Sequence, residues 1–322
     1  MRAREHPRPP GHSTLEEFGL AGPPTPPPPS EQAFPDSGSW RVEIPSVEGP
    51  AALEAVFEAS EDLGVPVHRI SQGSGIGMLT DTEIAAMVGL CREKGAELCL
   101  FVRPGADWDT GAGRTAGTGS AASRSRGAGQ LAAGVAQAER AAALGVDSLL
   151  VADEGLLWLL HRMRVRGDLP SGIRFKVSAT AAPANPAAFR VQELLGADTV
   201  NAPPDLAVHR LSELRAAGTA ALDVYVESPD DTGGFVRHHE IAEIVQACAP
   251  VHVKFGLRNA PGLYPSGEHL APAVVASARE RVRRARLGLD ELARAEGVPE
   301  MSPVGSRGLA EPERFALPDR EG

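Results

Sequence analysis

From Trp40 onward, short β-branched runs alternate with Ala-, Leu- and Glu-rich amphipathic segments, and the alternation repeats eight times. Parallel strands cannot be joined by tight hairpins, so each needs a crossover segment before the next, and helices fill that role. The runs fall at 41–46, 67–71, 97–103, 147–153, 173–179, 198–202, 221–227 and 251–257. Helical segments follow at 50–63, 81–94, 128–144, 154–166, 186–195, 205–217, 237–247 and 271–295. Thr80-Asp81-Thr82-Glu83 has the form of a capping box, and Gly64, Gly95, Gly145, Gly196 and Gly218 are expected to close helices where a left-handed φ is needed. Eight units in this order predict an α/β fold of the closed (β/α)8 barrel type over 40–297. A doubly wound open sheet is the alternative, but it has no need of an eighth unit.

The flanks have a different composition. Residues 1–39 carry the run Pro23-Pro24-Thr25-Pro26 through Pro29 and no apolar stretch of signal-peptide type, which predicts a disordered or polyproline arm. The segment 106–129 is dense in Gly, Ser and Arg. It reads either as a mobile lid that brings Arg114, Arg124 and Arg126 to an anionic substrate or as a plain flexible insertion. Residues 298–322 read as a disordered tail. No run of about 18 apolar residues is present, so no membrane span is expected and a bacterial cytoplasm is the default location. The formal charge of -10 disfavours nucleic acid and anionic membranes as partners and leaves small molecules or peptides; the oligomeric state is open. Cys91, Cys99 and Cys248 fit neither a disulfide framework nor a paired metal site, and an iron–sulfur cluster needs about four cysteines, so none is expected.

Alternation along each strand divides its side chains between the helix layer and the barrel interior. Strand 1 then sends Glu43 inward, strand 5 Lys176, Ser178 and Thr180, strand 7 Asp223, Tyr225 and Glu227, and strand 8 His252 and Lys254. Arg69 with Ser71, Asp153 or Glu154, and Asn201 join them from the remaining strands, and Gln72 and Arg103 follow strands 2 and 3. An interior this charged must pair internally or meet a ligand, because uncompensated burial costs several kcal/mol per group. Lys176 and Lys254 stand out because Lys94 is the only other lysine in a chain that otherwise uses Arg. An ammonium there serves as a compact charge or as an amine nucleophile.

Two loops add candidates. Arg258, Asn259, Tyr264 and Ser266, after strand 8, offer donors for a carboxylate or phosphate. Asp230 and Asp231, after strand 7, fit either an ordinary turn or oxygen ligands for a divalent metal, and no cofactor is otherwise indicated.

The ordered segments Val42-Glu43-Ile44-Pro45-Ser46-Val47-Glu48-Gly49-Pro50, Leu79-Thr80-Asp81-Thr82-Glu83-Ile84, Ala143 through Leu157, Ser178-Ala179-Thr180 and Leu194 through Val200 resemble the U32 peptidase (collagenase-like protease) family over roughly 41–250. The resemblance implies a barrel related to peptidases, some of whose relatives take part in hydroxylation of RNA or quinone precursors. Where that family carries a His-Gly-Ala-type segment and clustered cysteines, this chain has Glu227-Ser228-Pro229-Asp230-Asp231-Thr232-Gly233-Gly234. Three functional readings follow. In a hydrolase of peptide-like or carboxylate-bearing substrates, Glu227 or Glu43 is the general base, Asp223 belongs to the same acidic set, and Lys254, Arg69 and Arg258 hold negative charge. In a lyase or aldolase, Lys176 or Lys254 forms a Schiff base. The third is a non-catalytic ligand-binding or accessory protein.

Overall fold

The computed structural model describes residues 26–103, 124–146 and 148–305. Eight parallel strands form a closed barrel in chain order. They are β1 (Trp40–Pro45), β2 (Arg69–Ser71), β3 (Glu97–Phe101), β4 (Ser148–Val151), β5 (Arg174–Val177), β6 (Thr199–Asn201), β7 (Ala221–Glu227) and β8 (Val251–Phe255). A helix follows each: α1 (Pro50–Leu63), α2 (Asp81–Lys94), α3 (Gly127–Ala143), α4 (Glu154–Arg166), α5 (Pro186–Leu194), α6 (Val208–Ala217), α7 (Ile241–Ala247) and α8 (Ala271–Arg294). The (β/α)8 expectation is met, with element bounds within a few residues of those read from periodicity. Among the described residues no helix is long and apolar enough to cross a membrane.

Local signals set the helix ends. Thr80 Oγ1 accepts from the Glu83 N–H while the Glu83 carboxylate accepts from the Thr80 N–H, the reciprocal box expected from the sequence. At the other end of α2, Gly95 has the expected left-handed turn, φ 67°, that any side chain would strain, whereas Gly218 after α6 is extended at φ -160° and closes its helix without one. The hydrophobic core lies between barrel and helices: Val42, Ile44, Ile70, Leu98, Leu149, Val200, Val224 and Val253 point outward from the strands onto residues such as Leu53, Val56, Ile84 and Leu160. On α8, Gly288 lets Phe255 approach so closely that a Cβ would stand 2.5 Å from its ring.

Two boundary expectations change. Residues from Pro26 onward belong to the fold: Ser30 N–H donates to Gln246 O at 2.9 Å, and Phe34 is buried against the His252 ring, centroids 5.1 Å apart. Residues 298–305 likewise pack under β1, where Ser302 N–H donates to Trp40 O at 3.0 Å and Ser302 O contacts His68 Nε2 at 2.7 Å. Both segments are held because they satisfy backbone groups at the strand N-termini. The remainder of the predicted arm and tail, and most of the 106–129 insertion including Arg114, lie outside the described residues.

Candidate active site

The barrel interior is a tiered charge network. In the middle tier Glu43 receives a hydrogen bond from Lys176 Nζ at Oε2, and Ser71 Oγ donates to its Oε1 at 2.6 Å. Lys254 Nζ stands 3.6 Å from the same Oε1, and Arg69 Nη1 3.4 Å from Oε2. Arg69 also binds Asp223 at 2.8 Å and, through Nε, Glu97 at 3.0 Å. Lys176 reaches Asp223 Oδ2 at 3.6 Å, and Thr199 Oγ1 donates to that oxygen at 3.0 Å. Register explains the convergence, since Glu43 lies beside Arg69 on one flank and Lys254 on the other, and Asp223 beside Asn201 and His252.

Three carboxylates, from Glu43, Asp223 and Glu97, thus meet three cations, all of them buried side chains. Burial pushes the Glu43 carboxyl up, but Lys176 and Lys254 outweigh it and bring it down to about 2. Asp223 is likewise opposed by burial and held well below the ordinary range by Lys176 and Arg69. His252 goes the other way: burial, reinforced by Arg69, lowers it to about 4 against the pull of Asp223, so the ring is neutral at neutral pH. The acids are ionised and fully engaged, so Glu43 makes a poor base.

Above this network a cavity of about 130 Å³ opens at the strand C-termini, the end where barrel enzymes hold their substrates. Lys254 is the lysine in its lining, among Ser71, Arg103, Ser178, Thr180 and Tyr225. Its Nζ donates to Asn201 Oδ1 at 2.5 Å and sits 4.0 Å above the Tyr225 ring; Asn201 is oriented in turn by donating to Val177 O at 2.6 Å. Arg103 Nη1 donates to Gly73 O at 3.2 Å on the rim. Tyr264 closes one side: its hydroxyl donates to Ser46 Oγ, and its ring lies so close to Gly73 that a Cβ there would come within 2.5 Å.

Several sequence-derived placements are corrected. Glu227 does not face the interior. A register shift between Tyr225 and Glu227 places it beside Phe255, on the helix side, where Oε1 accepts the Arg258 N–H at 2.9 Å and Oε2 is 3.6 Å from His238 Nε2 and 3.8 Å from Arg284. Asp153 is the N-cap of α4, accepting the Leu156 N–H at 2.8 Å, and it also accepts the Ser125 N–H at 3.1 Å. Arg258 and Asn259 turn away to Asp230 through the Arg258 Nε at 3.2 Å and the Asn259 N–H. Gln72 lines the cavity but spends its amide bracing the Gly75 backbone in both directions at 3.1 Å. Arg69 and Lys176 lie below the cavity, as ties within the network rather than groups at its mouth.

Glu97 and Thr199 were missed by the sequence reading. Each begins a strand, and the parity that exposed Asp223 would have found them had strands 3 and 6 been split in the same way. Among the described residues no group of three or more His, Cys, Asp or Glu is placed to hold a metal ion. Cys91 is buried, and burial pushes the thiols of Cys99 and Cys248 up to about 12.

No protein-family model matches the sequence, and no curated protein matches it. Among solved structures the chain is similar to a U32 peptidase, with 19% identity over 62% of this chain and 73% of that one and a TM-score of 0.40. It is also similar to a structure described as native KDPGal, with 14% identity over 77% and 95% and a TM-score of 0.43. A 3-hexulose-6-phosphate synthase is similar at 13% identity over 77% and 99%, with a TM-score of 0.39.

Proposed function

We propose that the protein is a Schiff-base lyase acting on a small oxo acid at the C-terminal mouth of the barrel, with Lys254 as the amine nucleophile. The observation that carries this reading is the position of Lys254, which lines the mouth cavity while Asn201 and the Tyr225 ring hold its Nζ. Lys176, the other candidate, is enclosed between Glu43 and Asp223. Once the Lys254 ammonium has passed a proton to solvent at the mouth, its amine attacks the carbonyl carbon and water leaves; the resulting iminium takes up, as an enamine, the electron pair released when the bond between the α and β carbons breaks. Arg103 and the hydroxyls of Ser178 and Thr180 supply donors for the carboxylate. A cavity of about 130 Å³ favours a molecule of few heavy atoms over a peptide. The hydrolase reading also loses the base and one anion-holding group it needs, because Glu227 and Arg258 lie outside the cavity.

The test is borohydride reduction in the presence of pyruvate, followed by peptide mass analysis. The expected result is a reduced adduct on Lys254 that Lys254→Met abolishes. Absence of an adduct on Lys254 overturns the lyase reading, and saturable pyruvate binding without an adduct would leave a ligand-binding protein instead.

A further inference from the structure

The opposite end of the barrel holds a larger cavity, about 550 Å³, of a size suited to a drug-like small molecule. Its floor is the underside of the charge network, with Arg69, Glu97 and His252, and its walls include Phe34, Leu194 and Pro250. The acidic groups of the lining are already engaged. Glu97 binds Arg69, Asp198 accepts from Arg164 at 2.5 Å and from the Phe175 N–H at 2.8 Å, and Glu193 accepts the Thr219 and Ala220 N–H groups at 2.6 and 2.7 Å.

The cationic capacity is less used. Arg174 reaches Asp198 only at 3.8 Å, and Arg190 makes one 3.1 Å contact to Glu193; both are substantially exposed at the rim. At the floor, His252 is 1% exposed; its Nδ1 faces Asp223 Oδ1 at 3.1 Å without hydrogen-bond geometry, and its Nε2 has no hydrogen-bond partner among the described residues. A neutral imidazole whose Nδ1–H faces a carboxylate presents a lone pair at Nε2, so this buried atom needs a donor. We infer that this cavity is a second binding site, for a small organic acid with an apolar or aromatic body, whose carboxylate meets Arg174 and Arg190 and whose hydroxyl donates to His252 Nε2. The site is independent of the lyase chemistry at the mouth. It is physically continuous with that chemistry through Asp223, Lys176 and Glu43, which link His252 to Lys254.

The probes are phloretate and hydrocinnamate, which differ only by the ring hydroxyl, titrated into the full-length protein with nitrogen-15-labelled histidine. The expected result is a saturable shift of the His252 ring resonances by phloretate, with hydrocinnamate binding about tenfold more weakly, as one hydrogen bond of about 1.4 kcal/mol gives. Arg174→Ala/Arg190→Ala should weaken phloretate at least about tenfold with an unchanged thermal transition, since both side chains are exposed. No saturable shift, equal affinity for the two acids, or unaltered affinity in the double variant overturns the site.

Discussion

Lys176 and Lys254 contact opposite oxygens of one carboxylate: Lys176 Nζ is hydrogen-bonded to Glu43 Oε2, and Lys254 Nζ stands 3.6 Å from Oε1. The shared anion divides their labour. Lys176 is closed in by Asp223 on its other side, whereas Lys254 has Asn201, the Tyr225 ring and the mouth cavity. One ties the barrel together, and the other faces whatever enters.

That division predicts opposite phenotypes for two chemically identical substitutions. Lys176→Met leaves Glu43 and Asp223 under-compensated in a dry interior and should cost about 3–5 kcal/mol by urea denaturation. Lys254→Met removes a less enclosed partner and should cost only about 1–2 kcal/mol, while abolishing adduct formation with pyruvate. Equal losses of stability would contradict the tiered arrangement.

Acid should unfold the protein in two stages. His68 and His252 have pKa values lowered from 6.5 to about 4 in the fold, so the unfolded chain binds more protons between those limits. The stability they contribute is present above pH 6.5 and is lost as pH falls toward 4, on the order of 3 kcal/mol each. Glu43, lowered from 4.5 to about 2, contributes stability above pH 4.5 that is lost as pH falls further toward 2. Denaturation curves across this range should show the second stage diminished in Glu43→Gln, measured relative to that variant's own stability at neutral pH.

Glu227→Gln should leave pyruvate binding at the mouth unchanged and alter stability by no more than about 1 kcal/mol. Burial raises the Glu227 pKa, so the fold already disfavours its charge, and an amide oxygen can still accept the Arg258 N–H. Loss of binding in this variant, measured by calorimetry, would return Glu227 to the site.

Asp153→Ala removes the α4 cap and should lower stability by about 1 kcal/mol with adduct formation intact. Asp153→Asn, which can still accept from Leu156, should recover most of the loss in the same thermal melts.

The interior was largely legible from the sequence because alternation is a local property: Val42 and Ile44 flanking Glu43, or Val251, Val253 and Phe255 flanking His252 and Lys254, declare both faces of a strand. Glu227 was misread for the same reason. Counting by twos assumes unbroken pairing, and the irregularity after Tyr225 arises only where β7 meets β8. Asp153 defeats parity differently, since a residue at a strand end is also a helix cap, and the choice depends on where the backbone turns.

The order of eight strand–helix units, the capping box of α2 and the inward charges Glu43, Lys176, Asp223 and Lys254 were therefore set by the sequence alone, because each follows from side-chain periodicity and backbone propensity over a few residues. Which charge meets which was decided by closure of the barrel. Closure brings Glu43 to Lys176 across 133 positions and Arg69 to Asp223 across 154, leaves Lys254 at the mouth, and turns Glu227 to the helices. Such pairings depend on strand register and burial around a ring, which are properties of the assembled sheet and of no single segment.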